Sequence, residues 1–230
     1  MLLEERKNMF FRNFGLIEIL YYFIIFAFSI SVHESAHAYI AYRLGDNTGK
    51  DLERITINPM KHLDVTGTIL LFFAGFGWAK PVPINPSNFK NRKVGTVMVS
   101  LAGPLSNFIL AFIFAFIFLF LQFKFDVYSN FTSTEPLVVI SNFSIMGLSL
   151  NILLTIFNLL PFPPLDGSKV FTFFLPQRYY FRFMQYQYAT FIIFIILIYT
   201  GILRVILIPA QEYTLNFIFF VLKPVINLIT

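Results

Sequence analysis

The sequence predicts an all-α polytopic membrane protein of about five to six transmembrane helices, with a re-entrant β-hairpin-like loop after the first helix. Three observations carry this. The 230-residue chain is 57% hydrophobic and 19% aromatic, with 32 Phe and a mean hydropathy of +0.72. Only 13% of residues are charged, about half the usual globular share, which is too little polar surface to solvate a compact protein of this length. The apolar residues fall in long runs separated by short stretches that hold most of the Lys and Arg. The net charge of +5 therefore suits loops facing anionic lipid, and no basic cluster is long enough to suggest nucleic acid. The chain has no Cys, which excludes disulfides, thiol catalysis and thiolate metal ligands.

The chain opens with an amphiphilic stretch, residues 1–13, containing Glu4, Glu5, Arg6, Lys7 and Arg12. A first span over about 14–44 ends at Gly45-Asp46, a plausible helix stop. It is too long for a signal-peptide core, so no cleavable leader is expected. Residues 46–65 are polar. The apolar piece 66–78 contains Gly67, Gly75 and Gly77 and is too short to cross as a helix, which is why a re-entrant loop is expected there, the alternative being a plain short helix that plugs the site. Residues 79–86 follow, kept extended by Pro81, Pro83 and Pro86, and then the basic cluster Lys90, Arg92 and Lys93. Further apolar runs occupy roughly 95–123, 138–160, 186–209 and 213–229, with Pro209 between the last two. We expect one membrane-embedded domain over 1–230, its core at about 15–170, with the helices at about 186–229 as a candidate gate.

One polar run interrupts the first span: His33-Glu34-Ser35-Ala36-His37. Ionisable side chains within a membrane span cost roughly 2.5 kcal/mol or more each and are functional by default. Two histidines at i and i+4 share a helix face, and the intervening glutamate reaches the same ion or its bound water, the H-E-x-x-H zinc-hydrolase pattern. A third ligand is required. Asp166 is the best candidate, a carboxylate following the proline-broken end of an apolar helix at Asn158-Leu159-Leu160-Pro161-Phe162-Pro163-Pro164-Leu165. His62 is the rival, read as a loop histidine at the membrane surface. Topology bears on the choice. If 66–78 is re-entrant, twelve of the 17 Lys and Arg share one face, including Arg178 and Arg182, and the spans carrying His37 and Asp166 both end there. The positive-inside bias makes that face cytoplasmic.

The ordered motifs carry a resemblance. His33 to His37 is followed by Asn58-Pro59-Met60-Lys61-His62-Leu63-Asp64, Gly77-Trp78-Ala79-Lys80-Pro81-Val82-Pro83, Ala102-Gly103-Pro104-Leu105-Ser106-Asn107 and the Asn158 to Gly167 segment. Together these resemble the site-2 protease family of intramembrane zinc metalloproteases, in its compact form without an inserted PDZ or nucleotide-sensing domain. The family often has Pro after the His-x-Asp pair, where this chain has Val65. The resemblance implies one Zn2+ held by His33, His37 and Asp166, with Glu34 as catalytic base and Asn158 as a helper near the scissile carbonyl. It also implies a transmembrane protein or peptide as substrate, unwound before cleavage, and a multi-pass protein of the cell membrane, expected to be a prokaryotic cytoplasmic membrane, with the site facing the cytoplasm. The competing classes are a membrane metal transporter and a metal-binding, non-proteolytic relative. A transporter needs a second set of intramembrane polar residues, which 95–123 and 186–209 hardly supply, and the intact Glu34 argues against the second class.

Overall fold

The computed structural model describes residues 15–74, 77–130, 132, 135–175 and 186–229. The amphiphilic start, Arg178 and Arg182 lie outside the described residues.

Helix α1 (Leu16–Arg43) is apolar over most of its length and carries Arg43 in its last turn, where a cation complements the helix dipole. It ends at Leu44, and Gly45 takes the left-handed conformation at φ 104°, as the Gly-Asp stop predicted. A one-turn helix, α2 (Thr48–Asp51), and a 3-10 turn at Pro59–Lys61 cross the polar stretch. Helix α3 (Val65–Ala74) follows, and a second 3-10 turn at Pro86–Asn88 leads to α4 (Arg92–Phe125). After the short α5 (Val127–Asn130) come α6 (Pro136–Leu159), α7 (Asp166–Phe173), α8 (Gln187–Tyr199) and α9 (Ile202–Ile229).

The segment after α1 departs from the expected β-hairpin. Its first arm is the ten-residue α3, and the described residues contain no strand, only one antiparallel bridge between Leu63 and Ala79. The local cause of the helix is a cap: Asp64 Oδ1 accepts the Gly67 N–H at 2.8 Å, satisfying a first-turn donor. The returning chain passes directly over Gly67, where a Cβ would collide with the Trp78 backbone. Lys80 N donates to His62 O at 2.7 Å, so the two ends of the segment meet.

Four helices, rather than five to six, are long and apolar enough to cross a bilayer among the described residues: α1, α4, α6 and α9. Helix α8, with 13 residues, reaches only about 20 Å. The break between α8 and α9 falls at Thr200–Gly201, with Gly201 at φ 76°, not at Pro209, which lies within α9. Proline is tolerated inside membrane helices where neighbouring groups re-satisfy the backbone, so Pro209 was a poor boundary marker.

Helix α4 is central, packing chiefly on α6 and then on α1. The core joins Leu110, Ala111, Phe114, Ala115 and Phe118 of α4 to Ile145, Leu148 and Ile152 of α6 and to Ile218 and Ile226 of α9. Small residues permit this approach: a Cβ on Gly147 would strike the Phe114 ring. A second cluster packs Phe194 and Leu203 of the C-terminal helices on Leu165, just before Asp166.

Candidate metal centre

Helix α1 presents His33 and His37 toward α4 and Glu34 toward residues 79–85, and all three are buried. Asp166 reaches them from the first turn of α7. The prolines at 161, 163 and 164 end α6 and turn the chain back, and Gly167 permits the turn because a Cβ there would run into the Leu159 and Leu160 carbonyls. His37 Nε2 lies 3.0 Å and His33 Nε2 3.2 Å from Asp166 Oδ2, and the two Nε2 atoms are 3.0 Å apart.

Hydrogen bonds on the far side of each ring determine what these atoms are. His37 Nδ1 faces the Val99 carbonyl at 2.7 Å, so Nδ1 carries the proton and Nε2 a lone pair. His33 Nδ1 lies 2.5 Å from Asn107 Oδ1. That amide's orientation is set by its surroundings: Asn107 Nδ2 donates to Asn151 Oδ1 at 2.9 Å, while Asn151 Nδ2 donates to Ser29 Oγ and the Gly147 carbonyl, both at 2.9 Å. Asn107 Oδ1 is therefore an acceptor, and His33 Nε2 also carries a lone pair. Two imidazole lone pairs and a carboxylate oxygen thus converge at hydrogen-bond distance with no proton to share. A cation resolves this. Ligands about 2.0–2.1 Å from a tetrahedral zinc stand about 3.3 Å apart, close to the observed separations, so these residues fit the metal. Lys169 Nζ, 3.3 Å from Asp166 Oδ1, favours the ionised carboxylate.

The chamber wall opposite the histidines is backbone. A Cβ on Gly103 of α4 would lie 2.5 Å from His33 Nε2 and closer still to His37 Nε2. Thr155 Oγ1 of α6 bonds the neighbouring Pro104 carbonyl at 3.3 Å and holds α4 against α6 at this level.

Glu34 Oε2 accepts the Val82 N–H at 3.0 Å. Val82 belongs to a proline-punctuated strap, residues 79–85, anchored at both ends. At its start the buried Arg54 guanidinium donates from Nη2 to the Lys80 carbonyl at 2.5 Å and from Nη1 to the Pro81 carbonyl at 3.3 Å. At its end Asp46 Oδ2 accepts Asn85 N at 2.7 Å and Oδ1 accepts Asn88 Nδ2 at 2.8 Å. Burial tends to raise the Asp46 carboxyl, but the donors of Thr48, Asn85 and Asn88 outweigh it and hold the group below its ordinary value.

His33, Glu34, His37 and Asp166 come together. His62 does not join them. It is fully buried rather than at the surface, donating from Nε2 to the Thr56 carbonyl at 2.8 Å beside Arg54. Burial lowers its pKa, the Arg54 charge adding to the effect against the Thr56 bond and Glu34. Asn158 stands near the end of α6 with its Nδ2 donating to the Leu154 carbonyl at 3.0 Å. Asn107, Asn151 and Arg54 had no assigned role from sequence. Asn107 and Asn151 carried the same signal as the histidines, an amide within an apolar span.

Fold and site define a multi-pass membrane metallopeptidase with a buried His-His-Asp centre. The Peptidase family M50 model matches residues 21–200, and the chain belongs to that family. It is 40% identical over 190 residues to "Putative zinc metalloprotease YwhC" of Bacillus subtilis (strain 168), covering 82% of this chain and 84% of the relative. It is 26% identical over 144 residues to "Putative zinc metalloprotease Rip2" of Mycolicibacterium smegmatis, covering 60% of this chain and 51% of that protein. No solved structure matches the chain at a significant level. The protein is an intramembrane zinc metallopeptidase.

Proposed function

We propose that this enzyme hydrolyses peptide bonds within or near the transmembrane segments of other membrane proteins, in regulated intramembrane proteolysis, using a single membrane-embedded domain whose site faces the cytoplasm. The observation that carries this reading is the convergence of two imidazole lone pairs and one carboxylate beside a buried glutamate. His33, His37 and Asp166 are the metal ligands. Held by these residues, a zinc ion would supply Lewis-acid polarisation of the scissile carbonyl and would lower the pKa of a bound water toward about 7. Glu34 takes a proton from the attacking water and delivers it to the departing amine nitrogen as the C–N bond breaks. Asn107 and Val99 hold the ligand rings in the tautomer that leaves Nε2 free. Asn158, freed from Leu154, donates to the tetrahedral oxyanion, a role worth about 3 kcal/mol elsewhere.

The meeting of residues 62 and 80 supports a re-entrant path for 64–78, because a segment whose ends bond to one another does not cross. Lys50, Lys61, Lys80, Lys90, Arg92 and Lys169 then share the face toward which α1 and α6 end, which supports its being cytoplasmic. The bacterial relatives support a prokaryotic cytoplasmic membrane. Transport of the metal is disfavoured: among the described residues His33, His37 and Asp166 form the one group of three able to hold an ion. The deciding experiment reconstitutes the chain with a model transmembrane substrate. Glu34→Gln should abolish cleavage while retaining one zinc per chain, and cleavage at the wild-type rate by that variant would overturn the assignment.

A further inference from the structure

The geometry points to Arg54 as a positioning residue for catalysis, acting through the strap to orient the Glu34 carboxylate. The inference rests on Glu34 being the base. Arg54 is 6% exposed, unusual for a guanidinium with no carboxylate within ion-pair distance among the described residues; the nearby Glu34 charge favours its charged form, and its Nε is buried without an acceptor among those residues. Its outer nitrogens go to two consecutive backbone carbonyls, Lys80 and Pro81, and to His62 Nδ1 at 3.5 Å. The next residue, Val82, donates its N–H to Glu34 Oε2.

Stability alone does not account for this arrangement. A buried cation is costly, and apolar packing under the strap would avoid that cost. What a guanidinium supplies is a planar fork that fixes two successive carbonyls and hence the direction of the N–H that follows. Prolines on either side stiffen the link: Pro81 and Pro83 fix their own φ, and each restricts the residue before it. The N–H groups of Lys80 and Val82 are the only two between residues 80 and 83, and they are committed to His62 O and Glu34 Oε2. Binding Oε2 leaves Oε1 as the oxygen available to a water proton. His62 is the second point of support, holding the strap by its own carbonyl while its Nδ1 meets Arg54. Arg54 therefore sets the aim of the base without touching metal or substrate.

The test measures cleavage of a transmembrane substrate in proteoliposomes, with zinc content read separately on the same preparations. Arg54→Gln should lower kcat by about 10- to 100-fold with KM little changed and one zinc per chain retained. Arg54→Lys, able to donate to one carbonyl, should recover part of the loss. Val82→Pro removes the N–H and leaves the Arg54 contacts available, so it should reproduce the defect. The double variant should be no worse than the more severe single one, because both act along one path. Wild-type kcat in both single variants, or losses that multiply in the double variant, overturns the inference. Loss of zinc with loss of kcat overturns it as well, since the residue would then support the fold of the centre. Glu34→Gln is the control: if it still cleaves, the base assignment fails, whereas an inactive Glu34→Gln beside a fully active Arg54→Gln rejects the Arg54 role alone.

Discussion

Two asparagines fix the tautomer of His33 in the proposed metal centre. Asn107 accepts from His33 because Asn151 and Ser29 fix its amide, so the tautomer of a proposed ligand on α1 is set by residues on α4 and α6. Replacing Asn107 by Leu removes that acceptor at nearly constant volume. Zinc affinity should fall about 10- to 100-fold, measured by competition with a chelator, while thermal unfolding of the zinc-loaded protein changes far less. Gly103→Ala should be more severe for the metal, because its methyl group points at both ligand nitrogens. It should leave a helical protein without stoichiometric zinc. At this scale the sequence was readable where chemistry is local: His33, Glu34 and His37 sit within one helical turn, and Asp166 was reached from the topology. Arg54 was not readable. Its partners are backbone carbonyls 26 and 27 residues away, and carbonyls carry no signature in a sequence.

Among the elements, the spans announced themselves by length and hydropathy, while the connections did not. Residues 65–74 form a helix because Asp64 caps them, a preference that a glycine-containing apolar run conceals. Pro209 suggested a boundary, yet Gly201 made one, since only the left-handed conformation turns the chain sharply there. The contact of α4 with α6 depends on a missing side chain: Gly147→Leu should drive into Phe114 and cost about 1–3 kcal/mol, read as an earlier transition in thermal unfolding. The loop carrying His62 should respond to pH. Arg54 and Glu34 are the charged groups acting on this imidazole, burial lowers its pKa, and an unfolded histidine titrates near about 6.5. The stability it contributes is therefore present above about pH 6.5 and is lost as pH falls through the folded value. Proteolytic nicking of residues 52–63 should rise on acidification from about pH 7.5 to 5.5, and His62→Gln should flatten that dependence.

At the scale of the whole molecule, α1 and the start of α7 meet against α4, which brings His33, His37 and Asp166 together, and the C-terminal helices pack on the approach to Asp166. The native chain has no Cys, so single cysteines report topology without background. Labels at positions 61, 90 and 169 should all react from the cytoplasmic side, and one at 128, beyond the far end of α4, only from the other. Reaction of 61 and 90 from opposite sides would overturn the re-entrant path. The strap bears on the molecule in another way. The strap is an extended segment beside the buried Glu34, and such a segment invites pairing with any strand that arrives, including the same strap of a neighbouring copy. Pro81 and Pro83 lack N–H groups, and the donors of Lys80 and Val82 are already engaged. Residues 80–83 thus offer no free N–H donor for a cross-chain ladder.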